Sequence, residues 1–106
     1  MLPLRDPGNY SQVLRTIRRL WDEGTVQYHV HAVRAMLQSG LTDQDVESVI
    51  LTGSIIEHNK PRGEWRWKIQ GGRVDGHTAS CVVQIEIGGS LLIVTVIDEA
   101  PERRDE

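Results

Sequence analysis

A single cysteine and the want of any long apolar run set the first limits on this 106-residue chain. Cys81 alone gives neither a disulfide framework nor a cysteine-built zinc cluster, and points to a reduced, cytoplasmic setting. The N-terminus, MLPLRDPGNY, lacks an apolar core of signal-peptide length. The longest apolar run, Leu91–Ile97, is interrupted by Thr95 and is far too short for a bilayer, so no membrane is expected among the partners. No internal repeat is visible. No glycine loop of the phosphate-cradling kind occurs either, since Gly71-Gly72 and Gly88-Gly89 read as bends and turns. A net charge of −3 argues against strong unspecific binding to nucleic acid.

The charge that is present is segregated. Residues 60–77 carry five basic residues against two acids, whereas residues 41–59 carry four acids and no lysine or arginine. A local basic face is therefore compatible with the acidic total.

The hydrophobic pattern changes period once. Asn9 or Ser11 caps a first helix with Val13, Leu14, Ile17, Leu20 and Trp21 on one side, Arg15, Arg18 and Arg19 on the other, and Gly24 at its end. Val26–Tyr28 reads as a short extended link. A second helix runs from about His29 to Ser39 and stops at Gly40; a third is capped by Thr42, carries Asp43 and Asp45 in its first turn, and closes at Gly53. From there the period is two. Ser54–Glu57 forms a first strand; Trp65, Trp67 and Ile69 alternate with Arg66, Lys68 and Gln70 in a second; and Asp75-Gly76 makes a turn. Ala79–Ile87 is a third strand with Cys81, Val83, Ile85 and Ile87 inward. Leu91–Ile97 reads as a central strand covered on both faces. The expectation is an α+β domain over 1–98, with two to three N-terminal helices packed on a C-terminal antiparallel sheet of about four strands. Residues 99–106 would be a disordered charged tail.

The run His31-Ala32, Met36, Gly40-Leu41-Thr42, Asp45-Val46, Gly53–Glu57, Asp75-Gly76 and Val94-Thr95-Val96 resembles a family of small bacterial proteins classed as a domain of unknown function, over roughly residues 12–98. That family is in turn similar to the RelE, BrnT and MqsR group of toxin ribonucleases. The resemblance implies a RelE-like layout and the toxin of a toxin–antitoxin pair. It also implies a metal-independent mRNA endoribonuclease without a cofactor, and an antitoxin protein as partner. Ala35, Ser39 and His77 stand where the family carries arginine.

Cleavage of RNA without a metal needs a base near the 2′-hydroxyl, cations for the in-line phosphate and an acid for the leaving oxygen. His31 and Arg34, three apart on one helix, offer a base and a phosphate clamp, although a lone histidine beside an apolar stripe is more often structural. Arg66 and Lys68 share a sheet face, with Arg73 and His77 near the next turn. In RelE-like toxins a basic sheet face is where RNA binds; a solvated strand face is the plain alternative. The candidates are thus His31, Lys68 and His77 for catalysis and Arg34, Arg66 and Arg73 for RNA contact. Trp65 and Trp67 could stack bases, but their alternation with charges favours burial. The spacing of His29, His31, His58 and His77 is a weak metal signal. Two readings stay open: a ribonuclease toxin, and a non-catalytic protein-interaction module that keeps the toxin-like fold. A short edge strand such as Ser54–Glu57 could pair across a homodimer or with an antitoxin.

Overall fold

The computed structural model describes residues 6–99. Three helices and five strands follow in the order α1 (Tyr10–Glu23), β1 (Thr25–Tyr28), α2 (Val30–Ser39), α3 (Asp43–Thr52), β2 (Ser54–Asn59), β3 (Arg66–Gly72), β4 (Thr78–Ile85) and β5 (Ser90–Asp98). The strands form one sheet in the order β1-β5-β4-β3-β2. Among them β2 to β5 make an antiparallel meander, as the alternation predicts, and β1 joins β5 in parallel. The α+β class holds, but the sheet has five strands and is mixed rather than wholly antiparallel. The extra strand is the segment read as a link. Its four residues are too few to show a period, and its partner lies more than sixty residues downstream, with Val26 opposite Leu91 and Tyr28 opposite Ile93.

The helix ends follow their caps. The Asn9 side chain accepts from Gln12 N–H, and Gly40 at φ 71° provides the left-handed stop of α2 that a residue with a Cβ would resist. Thr42 and Asp45 make a reciprocal capping box at α3. The last carbonyls of α3 are satisfied from another helix. Arg18 Nε donates to Ile50 O at 2.8 Å and its terminal nitrogen to Gly53 O at 2.9 Å. Arg18 is therefore a brace between α1 and α3 rather than a member of the solvent face.

One apolar layer holds the helices to the sheet. Val13 and Ile17 of α1, Ala32 of α2, and Val46, Val49 and Ile50 of α3 bury against Ile69, Cys81, Val83, Leu91 and Ile93. Full burial of each large aliphatic side chain stabilises by about 1.5–3 kcal/mol. Ile87 departs from the sequence reading: β4 ends at Ile85, and Ile87 is fully exposed in the turn beyond it. β5 is internal, as expected of its composition, yet the helices roof only one of its faces; Leu92, Thr95 and Ile97 on the other are half-buried.

Where α3 ends, backbone meets backbone. A Cβ on Gly71 would lie 2.7 Å from Gly53 Cα and 2.9 Å from Val49 O, so α3 can sit this close to β3 only because both positions are glycine.

Two bulges set which side chains reach the uncovered face. In β2 the register shifts between Ile55 and Glu57. Ile55 points into the core, while Glu57 is turned to the other face beside Lys68, and His58 returns to the helix side opposite Trp67. In β5 the shift opposite Val82 and Val83 keeps both Ile93 and Val96 inward.

Candidate functional site

The helix-free face is built from alternate residues of adjacent strands. Arg66, Lys68 and Gln70 of β3 stand beside Gln84, Val82 and Ser80 of β4 in that order. Asn59, Glu57 and Ser54 of β2 flank them on the outside. Strand alternation alone therefore delivers the expected result that Arg66 and Lys68 share a face, with Trp67 and Ile69 buried behind them.

Each cation on this face has a partner. Arg66 Nε donates to Gln84 Oε1 at 3.0 Å, and Gln84 Nε2 donates to Glu86 Oε2 at 2.6 Å. Lys68 Nζ lies 3.2 Å from Glu99 Oε2, and the Ser80 hydroxyl donates to that same oxygen at 2.8 Å. Glu99 falls in the segment read as a tail, but its N–H donates to Thr78 O and its carboxylate is part of the face; residues 100–106 lie outside the described residues. Ser80 is fully buried although it lies on the helix-free face.

Arg73 sits at the sheet end. Its guanidinium is 3.7 Å from Asp75 and 3.6 Å from Asp98, and its buried Nε makes an ion pair there but no hydrogen bond. His77 donates its backbone N–H to Asp75 and holds its ring Nδ1 3.5 Å from the other oxygen of that carboxylate. Asp75 thus serves Arg73 and His77 together.

His31 and Arg34 belong to the other layer. Both are exposed on α2, and the His31 ring lies 4.6 Å from that of His29, whose Nδ1 accepts from His31 N–H to cap the helix. The three catalytic candidates are consequently not brought together. His31 is on a helix, Lys68 is on the uncovered sheet face one strand in from the β2 edge, and His77 is past Gly72, which is about 13 Å along the strand from Lys68 at the usual rise. Of the six candidates only Arg66 and Lys68 are strand neighbours on one face.

The aromatic residues separate in the way their alternation predicts, with one addition. Trp67 is buried and donates Nε1–H to Pro7 O at 2.9 Å. Trp65 is half-buried beside His58, with Lys60 Nζ 5.2 Å from its ring centre. Both tryptophans line a cleft of about 580 Å³ together with Arg19, Leu20, Ile85 and Gly88-Gly89. His58 is engaged elsewhere: its Nδ1 is 2.7 Å from the Tyr10 hydroxyl, which ties β2 to α1. Among the described residues no three His, Cys, Asp or Glu side chains converge to hold a metal ion, and no helix is long and apolar enough to cross a membrane.

Among the described residues, three groups titrate away from their ordinary values. Burial pushes the Cys81 thiol up to about 12, which removes it as a nucleophile at neutral pH. Burial, reinforced by the neighbouring Asp43 carboxylate, raises the Tyr28 hydroxyl. For Asp45, burial alone would raise the carboxyl, but N–H donors from Val74 and Thr42, the Thr42 hydroxyl and the Arg73 charge together hold it below the usual range. Asp45 is a residue the sequence showed as a first-turn acid of α3 and not as a tie to another element. Its other oxygen fastens α3 to the turn that carries Arg73 and His77.

These features define an α+β domain whose helices cover one face of a mixed sheet and leave a polar, charge-paired face open. The chain belongs to the family described as domain of unknown function (DUF4258), whose model matches residues 28–98. No curated protein and no solved structure gives a significant match.

Proposed function

We propose that the helix-free sheet face holds the phosphodiester backbone of single-stranded RNA, and that the chain is a RelE-like toxin of a toxin–antitoxin pair acting on mRNA. The observation that carries this reading is the alignment of Arg66 and Lys68 on β3, next to the hydrogen-bonding side chains Gln70, Gln84 and Ser80. An arginine and a lysine two residues apart on a strand are separated by about 6.5 Å, which suits successive phosphate groups.

Holding the strand is better supported than cutting it. Lys68 is the one catalytic candidate on this face, so a cleavage step would use its ammonium to stabilise charge on the phosphate, with Arg66 as the clamp. The protein-interaction reading has its own support in α2, where Val30, Val33 and Leu37 recur at helical spacing and are exposed by 57%, 45% and 80%. Such a stripe suits the apolar side of a partner helix, and an antitoxin would satisfy it in either reading.

The test is binding of a labelled single-stranded RNA followed by fluorescence anisotropy at several salt concentrations. Lys68→Ala and Arg66→Ala should each weaken binding and flatten the salt dependence by about 0.7 in the log–log slope, the value for one phosphate contact on a single strand. Induction in a host lacking the neighbouring genes should arrest growth with mRNA cleavage. Wild-type protein that binds RNA no better than the double variant, with growth unaffected, would leave the interaction-module reading in its place.

A further inference from the structure

We infer that Lys68 and Ser80 form a binding site for one phosphate oxygen, and that Glu99 keeps this site closed with its own carboxylate. The inference rests on the RNA reading for its biological ligand, but not for its chemistry. Lys68 Nζ at 3.2 Å and Ser80 Oγ at 2.8 Å both address a single oxygen, Glu99 Oε2. An ammonium and a hydroxyl converging on one anionic oxygen make the same charge-assisted pair of hydrogen bonds to a phosphate as to a carboxylate.

Both donors are fixed. Lys68 and Ser80 are diagonal neighbours across the β3–β4 pairing, where Lys68 opposes Val82 and Gln70 opposes Ser80. Ser80 is fully buried, and its hydroxyl donates to the Glu99 carboxylate.

The occupant, by contrast, is peripheral. Glu99 lies beyond the end of β5, anchored by its backbone N–H to Thr78 O, and its side chain is 25% exposed. Its carboxylate can swing to water and admit an external anion without any core side chain moving. Among the described residues, the remaining charges on this part of the face are Glu57, the cross-strand neighbour of Lys68, and the Arg66–Gln84–Glu86 chain further along β3 and β4. A site closed this way takes phosphate weakly until Glu99 is displaced, so Glu99 sets the affinity of the face.

The experiment uses the full chain and two probes, inorganic phosphate by calorimetry and a labelled single-stranded RNA by anisotropy, with melting temperatures confirming that every variant folds. Glu99→Gln should tighten phosphate about tenfold, and Lys68→Met placed in that background should abolish the gain. Glu57→Gln makes the same change of charge on the same face without touching Ser80, and should alter phosphate binding less than twofold. If Glu99→Gln gains no more than Glu57→Gln, the effect is net charge and the inference is overturned. If phosphate tightens in Glu99→Gln while RNA binding does not respond, the anion site stands and the RNA reading falls.

Discussion

Asp45 offers the sharpest test of how this fold is tied together. Its carboxylate accepts from Thr42 N–H at 3.0 Å and from the Thr42 hydroxyl at 3.1 Å, closing the cap of α3, while its second oxygen accepts from Val74 N–H at 2.9 Å, 29 residues away. Replacing it with alanine removes a capping interaction of about 0.5–2 kcal/mol. It also leaves the part-buried Val74 N–H without its acceptor, a loss of about 1–3 kcal/mol. The Thr42 hydroxyl is exposed and turns to water, so it adds little. A total near 3 kcal/mol is expected, which at about 5 °C per kcal/mol for a domain this size lowers the melting temperature by about 15 °C.

The loss must also depend on pH. The folded carboxyl titrates below its unfolded value, so its stabilisation is fully present above the unfolded value of about 4 and disappears as pH falls through the folded one. Urea denaturation of the wild type and Asp45→Ala at pH 7 and at about pH 2.5 checks both statements. The gap should be near 3 kcal/mol at pH 7 and should be smaller in acid. A gap under 0.5 kcal/mol at pH 7, or one that does not change with pH, would refute the reasoning.

Other expectations come from contacts of the same kind. Gly71→Ala should cost about 1–3 kcal/mol, because the new methyl meets the Gly53 and Val49 backbone, which cannot step aside. Gly72→Ala meets nothing within 4 Å and should stay within about 0.5 kcal/mol in the same thermal melts. Arg18→Ala should destabilise by about 2 kcal/mol, since two carbonyls at the end of α3 lose a charged donor; Arg15→Ala, on the exposed side of α1, is the control. Cys81 should react with a thiol reagent at neutral pH only as fast as the domain opens, so its labelling rate should rise with urea in step with unfolding. Reaction at the rate of a free thiol would contradict its burial.

The functional candidates divide by the kind of information each needed. That Arg66 and Lys68 share a face follows from period two, and the sequence shows it directly. That each is already hydrogen-bonded or ion-paired depends on Gln84 and Glu99, which approach only through strand pairing across the turns. His31 and His77 read as candidates because histidine titrates near neutrality, yet nothing local tells that one belongs to a helix layer and the other to a distant turn. Glu99 was hidden for a related reason. A charged residue ahead of a proline and five more charges looks solvated until the sheet brings Lys68 and Ser80 to it.

Local chemistry by itself determined the three helices with their caps, the alternation that separates Trp67 from Lys68, and the turn at Asp75-Gly76. These depend on contacts within a few residues, where propensity and hydrogen-bond geometry act directly. The tertiary structure alone decided the parallel strand Thr25–Tyr28, the β2 bulge that turns Glu57 toward Lys68 and His58 toward Tyr10, and the closing of Lys68 and Ser80 on Glu99. Each of those joins groups from eleven to more than sixty residues apart, and their energies exist only once the sheet has brought the partners together.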